Sequence, residues 1–226
     1  MQPVVELVHA SKRYRTNGDA VWALRDVSLE IPRSSFTAIM GRSGCGKSTL
    51  LSLAGAVDLP TEGEVRIEGV STSSLGDREL SRLRRTRIGF VFQFFHLLPT
   101  LTVSENIALP LLLEHRTLSG KMAGRVEELL KMLGLENKAK QFPHQLSGGE
   151  MQRCAIARAL IHEPVLVIAD EPTGNLDSAT AANVLGWLDH AWQQMGQTVL
   201  MATHSQEAAC RAGRVIEMHD GSLWTA

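Results

Sequence analysis

Residues 41–51 read "GRSGCGKSTLL", and no other stretch restricts the possible folds of this chain as much. Gly41, Gly44, Gly46, Lys47 and Ser48 satisfy the spacing G-x-x-x-x-G-K-[ST], with the β-branched run "SFTAIM" (35–40) leading in and the helically periodic "KSTLLSLAGA" leading out. Glycines let a backbone curl around an oxyanion with its N–H groups turned inward, and the following helix adds the positive end of its dipole. Lys47 is then placed to reach the β- and γ-phosphates of a nucleoside triphosphate, and the Ser48 hydroxyl to ligate Mg²⁺.

The rest of the chain has the pattern such a loop requires. Short β-branched runs at 4–8, 64–69, 88–93, 165–170, 198–203 and 214–218 alternate with helical segments such as "AGRVEELLKMLGL", "GEMQRCAIARALI" and "TAANVLGWLDHAWQQM". Strands alternating with helices predict an α/β fold with a largely parallel sheet. Residues 94–161 break the alternation, with helical pattern and loops but almost no strand signal. They are expected to form a helical subdomain inserted into a core of 1–93 and 162–226, the whole being one domain.

Composition removes several classes. A formal charge of −1 gives no footprint for a polyanion, and no nucleic acid is expected. The basic run "RLRRTR" (82–87) reads as a solvated helix face. Cys45, Cys154 and Cys210 are odd in number, far apart and free of any CxxC pair, which argues against a disulfide framework or a zinc site and fits a reducing compartment. The N-terminus carries charges where a signal peptide would be apolar, and no run reaches the 18 apolar residues of a membrane span, so the chain is expected to be soluble by itself.

The chemistry is suggested at 165–171, where the apolar "VLVIAD" ends in Asp170 and Glu171 at the expected carboxyl end of a buried strand. Adjacent strand residues point opposite ways, so Asp170 can hold the metal's water shell while Glu171 polarises an attacking water as general base. No N-K-x-D segment for reading guanine is present, and nothing marks an acceptor site for phosphoryl transfer. Water is the expected acceptor, which makes the chain a hydrolase.

A second glycine pair stands at 146–150, "LSGGE", opening the helical "MQRCAIARAL". Ser147, Gly148, Gly149 and Glu150 make another candidate anion site at a helix N-terminus, yet one chain has one phosphate loop, so the second site implies a second molecule. At this point the sequence closely resembles the ABC ATPases, and the resemblance runs through nearly the whole chain in order: the loop at 41–48, Gln93 in "FVFQ", the signature "LSGGE", "VLVIADEP", "TGNLDS" (173–178) and His204 in "ATHS".

The resemblance implies a phosphate-loop NTPase core with an N-terminal antiparallel β portion and an inserted helical subdomain. It further implies adenine stacked on Tyr14, triphosphate held by Gly41, Ser43, Gly44, Cys45, Gly46, Lys47, Ser48 and Thr49, and Mg²⁺ held by Ser48, Gln93 and Asp170. Glu171, His204 and Gln93 would gather around the γ-phosphate in a head-to-tail homodimer that sandwiches ATP between one loop and the other copy's signature.

"FQFFHLLPTLTVSENIALPLLL" (92–113), "DEPTGNLDS" (170–178) and "EMHDGSL" (217–223) resemble the group containing the lipoprotein-release, macrolide-exporter and FtsE-type cell-division ATPases, the first being nearest. Such subunits work peripherally on the cytoplasmic face of the inner membrane with integral membrane permease subunits, exporting or releasing a lipoprotein, peptide or drug-like cargo. An FtsE-type complex that transmits force or signal without a cargo is the alternative. Glu150 replaces the signature's more general glutamine, Ser205 a frequent aspartate and Cys45 a frequent serine, none of which removes a phosphate ligand or the base. With 22 residues after His204, no appended regulatory domain and no second cassette is expected. The apolar segment from Phe94 through Leu113 is expected either to be core or to form part of a groove for a short helix of a membrane partner.

Overall fold

The computed structural model describes residues 2–16 and 19–224. Nearly every side chain of β7 (Leu166–Asp170) and β8 (Thr198–Thr203) is buried, as a strand requires when both faces of its sheet are covered. The period of two sorts them: Leu166, Ile168, Leu200 and Ala202 enter one core, and Val167, Ala169, Val199 and Met201 enter another. β3 (Phe36–Met40), β6 (Ile88–Phe92) and β9 (Arg214–His219) run parallel to them, and β10 (Ser222–Trp224) closes an antiparallel edge in the order β10-β9-β3-β8-β7-β6. Because β3, β6, β7 and β8 are parallel, the loops after all four leave from one edge of the sheet, where α/β folds bind ligands.

A second sheet is antiparallel, with β1 (Val5–Thr16), β2 (Asp19–Ile31), β4 (Glu62–Ile67) and β5 (Val70–Ser71) in the order β2-β1-β4-β5. Strand β2 is absent from the β-branched runs found in the sequence, and the structure gives the reason. Its buried apolar residues fall at Leu24, Val27, Leu29 and Ile31, so the alternation slips between 24 and 27, where Asp26 takes φ 49° beside a register shift in β1. Between the two sheets lies α1 (Lys47–Ala54), whose Leu50 and Leu53 are fully buried in the core shared with Val5, Ile31, Ile39 and Leu200.

Among the described residues 94–161 contain no strand, only α3 (Val103–His115), α4 (Gly120–Met132), α5 (Gly148–Leu160) and short turns. Ile107 of α3, Leu129 of α4 and Ile156 of α5 share one core with Val91, Val167 and Val199 of the sheet and Leu188 of α6 (Ser178–Gln193). Each such fully buried side chain contributes on the order of 1.5–3 kcal/mol relative to exposure. The inserted helices are therefore continuous with the sheet through α5, which packs on β6 and α6 as well as on α3. The basic run lies in α2 (Asp77–Arg87) and is spent on pairs: Arg82 and Arg85 on Glu114, Arg87 on Glu68, and Arg84 on the Ala56 carbonyl.

Candidate functional site

The loop after β3 walls a cavity of about 630 Å³ with Ser43, Gly44, Gly46, Lys47, Ser48 and Thr49, and across from them stand Gln93, Asp170, Glu171 and His204. Gly46 begins α1 at φ 109°, and a Cβ there would sit 2.4 Å from the Ala23 carbonyl oxygen, so only glycine allows the loop to pass the antiparallel sheet this closely. The Lys47 side chain is almost wholly buried. Its ammonium donates to the carbonyls of Gly41 (2.8 Å) and Arg42 (3.1 Å) and stands 3.6 Å from Glu171 Oε1. A buried ammonium requires such partners, and here they point it along the loop's inner face. Gly41 lies just outside the cavity wall, and Cys45 is buried beneath the loop.

The two carboxylates diverge by a different device from the one expected. Strand β7 ends at Asp170, and Glu171 is past it, at φ 45° in the left-handed region, with its N–H donating to the Ala202 carbonyl at 3.0 Å. A left-handed glutamate is strained and persists only where neighbours hold it. The strain turns its carboxylate to His204, whose Nδ1 lies 2.8 Å from Oε2 and whose backbone N–H donates to the same oxygen at 3.3 Å. Asp170 stays in the strand, where burial pushes its carboxyl above the ordinary value against the opposing pull of the Ser48 hydroxyl. Its Oδ1 is buried with no hydrogen-bond partner. An orphaned carboxylate oxygen beside a serine hydroxyl and a phosphate loop is the oxygen donor set that suits Mg²⁺ bound jointly with phosphates.

Gln93, one residue beyond β6, is clasped to Asn175: its Nε2 donates to Asn175 Oδ1, and Asn175 Nδ2 donates to the Gln93 carbonyl, both at 3.2 Å. The chain then turns through two successive left-handed residues, Phe95 (φ 60°) and His96 (φ 47°). Both of their carbonyls accept from the guanidinium of Arg158 on α5, at 2.8 and 2.5 Å. The same helix reaches the Glu171 turn, since the buried Gln152 donates to the Pro172 carbonyl at 2.6 Å. One helix thus holds both loops, after Gln93 and after Glu171, that flank the cavity opposite the glycine loop.

That helix begins with the signature, and Ser147, Gly148, Gly149 and Glu150 do not line the cavity. Ser147 caps α5 by accepting from the Glu150 N–H (3.3 Å), while the Glu150 carboxylate accepts from the Ser147 N–H (2.8 Å). Tyr14 is also outside the cavity wall, on β1, with its hydroxyl donating to Asp58 at 3.0 Å and the residue 39% exposed.

Residues 24–174 match the ABC transporter family. The chain is an ABC transporter ATPase. It is 44% identical to the ABC transporter ATP-binding protein MJ0796 of Methanocaldococcus jannaschii over 97% of this chain and 95% of that one. It is 46% identical to the lipoprotein-releasing system ATP-binding protein LolD of Alcanivorax borkumensis over 98% and 96%. A dimeric structure of MJ0796 in a post-hydrolysis state, bound to ADP and Pi, superposes with a TM-score of 0.90 at 43% identity, over 98% of this chain and 97% of that one. CbiO1 of Clostridium perfringens, part of the transporter complex cbiONQ, superposes with a TM-score of 0.86 at 26% identity, over 100% and 88%. This ABC ATPase therefore binds ATP and hydrolyses it on the fold expected of the family.

Four features of the ABC site escaped the sequence reading. Arg42 and Ala23 line the cavity, Asn175 holds Gln93, and Arg158 holds the turn after it. Asn175 lies inside the flagged "TGNLDS", and Arg158 announces itself as an arginine among the otherwise small and apolar residues at the end of α5.

Proposed function

We propose that this ATPase works as a homodimer in which each ATP lies between the phosphate loop of one copy and residues 147–150 of the other. The observation that carries the reading is that the signature stands at the start of α5 outside its own chain's cavity. In each half, Lys47 and the loop amides take the triphosphate, Tyr14 takes the base, and Ser48, Asp170 and Gln93 hold Mg²⁺, which when bound neutralises charge on the β- and γ-phosphates. Glu171 accepts the proton of the attacking water, oriented by His204 Nδ1, and Gln93, bonded to Asn175 here, would on release from it be free to help hold the metal beside the γ-phosphate.

A crosslink tests the sandwich. With Cys45, Cys154 and Cys210 replaced and Glu171→Gln added, Ser43→Cys on one chain and Ser147→Cys on another should join when ATP is present and remain apart without it. Equal crosslinking with and without ATP rejects the sandwich.

The energy of this cycle is proposed to drive membrane subunits at the cytoplasmic face of the membrane, in release or export of a lipoprotein or similarly apolar cargo. The LolD relatives and the complex containing CbiO1 support that reading, as does the absence of any helix long and apolar enough to cross a membrane among the described residues. A second cavity of about 420 Å³, walled by Ile88, Phe90, Leu109, Pro110 and Leu113, is the proposed seat of a short partner helix. The expected apolar segment divides here. Leu109 and Leu113 face this groove, Leu111 is core, Leu97 packs on the core, and Phe94 (68% exposed) and Leu98 (44%) lie outside both. Arg158 and the half-buried His162 also line the groove, so an occupant would press on the residue that holds the turn beyond Gln93. Leu113→Glu should release copurifying membrane subunits while the isolated protein still binds ATP, and retention of those subunits would remove the groove from the reading.

A further inference from the structure

Tyr14 is exposed enough to stack on a flat ligand, yet it is tied down more firmly than a surface tyrosine needs to be. Its hydroxyl donates to Asp58 Oδ2 at 3.0 Å and lies near the hydroxyl of Thr49, in the first turn of α1. Asp58 Oδ1 accepts from the Lys12 ammonium at 2.6 Å and from the Leu59 N–H at 2.8 Å. Lys12 donates in addition to the Leu59 carbonyl (2.8 Å), and its ammonium stands 5.2 Å from the centre of the Tyr14 ring, within range of a cation–π contact. The ring is therefore fixed at its rim by a carboxylate and beside its face by a cation, and the fixing groups come from β1 and from the segment that follows α1.

We propose that Lys12 and Asp58 are positioning residues that hold Tyr14 as a preorganised platform for the nucleotide base and register it to the phosphate loop through the start of α1. The inference rests on the reading of Tyr14 as the base platform. A freely rotating tyrosine would lose side-chain freedom on stacking, whereas a ring already locked loses little, and the saving appears as affinity for nucleotides and not for phosphate chains lacking a base. The protonation states suit the task. Burial first, then donation to Asp58, lifts the Tyr14 hydroxyl above its ordinary value, so it stays a donor. For Asp58 burial acts upward, but Lys12, the Leu59 N–H and Tyr14 outweigh it and hold the carboxyl below its ordinary value, so it stays an acceptor.

Calorimetric titration with ADP and with inorganic tripolyphosphate, the base-free probe, separates the possibilities. Tyr14→Ala should weaken ADP by about fivefold to a hundredfold, the range of base–aromatic stacking. Tyr14→Phe, Asp58→Ala and Lys12→Met should each weaken it by about twofold to tenfold, with Lys12→Arg recovering part of the loss. The double variant Tyr14→Phe with Asp58→Ala should lose no more than Asp58→Ala alone, since both remove one contact. Tripolyphosphate affinity should be unchanged throughout.

If Tyr14→Ala weakens ADP while Tyr14→Phe and Lys12→Met do not, the platform stands and the clamp is overturned. If Tyr14→Ala leaves ADP affinity unchanged, the platform reading fails and the clamp with it. A parallel loss of tripolyphosphate affinity would mean damage to the phosphate loop and would also overturn the clamp. Should Asp58→Ala fail to fold, Tyr14→Phe removes a single oxygen atom and carries the same test.

Discussion

Helices α1 and α5 both begin beside glycine, both present free N–H groups at their N-termini, and both are proposed to meet a triphosphate, α5 that of the other copy, yet they are equipped differently. At α1 the cap is Gly46 with no side-chain acceptor, the first turn carries no acid, and Lys47 is the first helical residue. At α5 the cap is Ser147, reciprocally bonded to Glu150, and Lys138 stands 3.2 Å from the Glu150 carboxylate. The orphan N–H groups of a helix must be satisfied by something. At α1 they are left to a ligand and a cation is supplied with them, whereas at α5 the chain's own serine and glutamate satisfy part of the demand and add a negative charge. A glycine-rich N-terminus alone is therefore not an anion site of fixed strength. In the proposed sandwich the first holds phosphate by itself, and the second adds to a phosphate that already has its counter-charge.

The largest expected effect lies at the cavity that α1 opens, where Lys47 faces Glu171. Glu171→Gln keeps the shape and loses the base, so ATP should still bind while turnover falls by at least about a hundredfold. Lys47→Ala should instead weaken binding itself. Turnover of Glu171→Gln within about threefold of the unaltered protein, under roughly 1 kcal/mol in barrier, would sink the assignment of the base.

Next in size is the dependence of α1 on a foreign α5. A Ser147→Arg subunit and a Lys47→Ala subunit should each be inactive alone, for different reasons. Mixed, they can form a heterodimer in which the two lesions share one site and leave the other intact, and hydrolysis should return to at most about half the unaltered rate if one site fires alone. A signature acting within its own chain gives no rescue, because every chain then carries one lesion. Where both sites must fire together rescue also fails, and the Ser43–Ser147 crosslink then distinguishes the cases.

The asymmetry also explains what could be read from the sequence. The phosphate loop was legible from its motif spacing and the two carboxylates from the end of an apolar strand, whereas Gln93 and His204 stood out only through the family resemblance; parallel strands bring all of them to one edge. The parallel strands of the main sheet were legible by their apolar runs, β8 (198–203) to the residue, whereas the short edge strand β10 was not. What stayed hidden depends on backbone twists without a compositional mark: the slip in β2 at Asp26, the left-handed turn that aims Glu171, and the Phe95–His96 turn held by Arg158. The capping box at α5 was readable as S-x-x-E within "LSGGE", but the eye drawn to its glycines as an anion site passes over the serine and glutamate that already occupy it.

The smallest expected effect tests that occupation directly, because Glu150→Gln should move two measurements in opposite directions. Glutamine preserves a capping acceptor but not the charge at the N-terminus of α5 or the pair with Lys138. The Ser147 N–H, ahead of Lys138, holds the Glu150 carboxyl below its ordinary value against the upward push of burial. A carboxyl lowered on folding contributes stability that is present above its unfolded value, near pH 4.3, and is lost as pH falls through the lower folded one. At pH 7 the variant should accordingly melt about 1–2 °C below the parent, for a loss of about 0.5 kcal/mol, and the gap should close as the pH is lowered through that window. ATP-driven dimerisation, followed by sedimentation in the Glu171→Gln background, should strengthen, since a negative charge no longer faces the incoming phosphate. If dimerisation weakens along with stability, the carboxylate does not oppose the anion, and α5 must then be read as a site that uses Glu150 instead of one that works despite it.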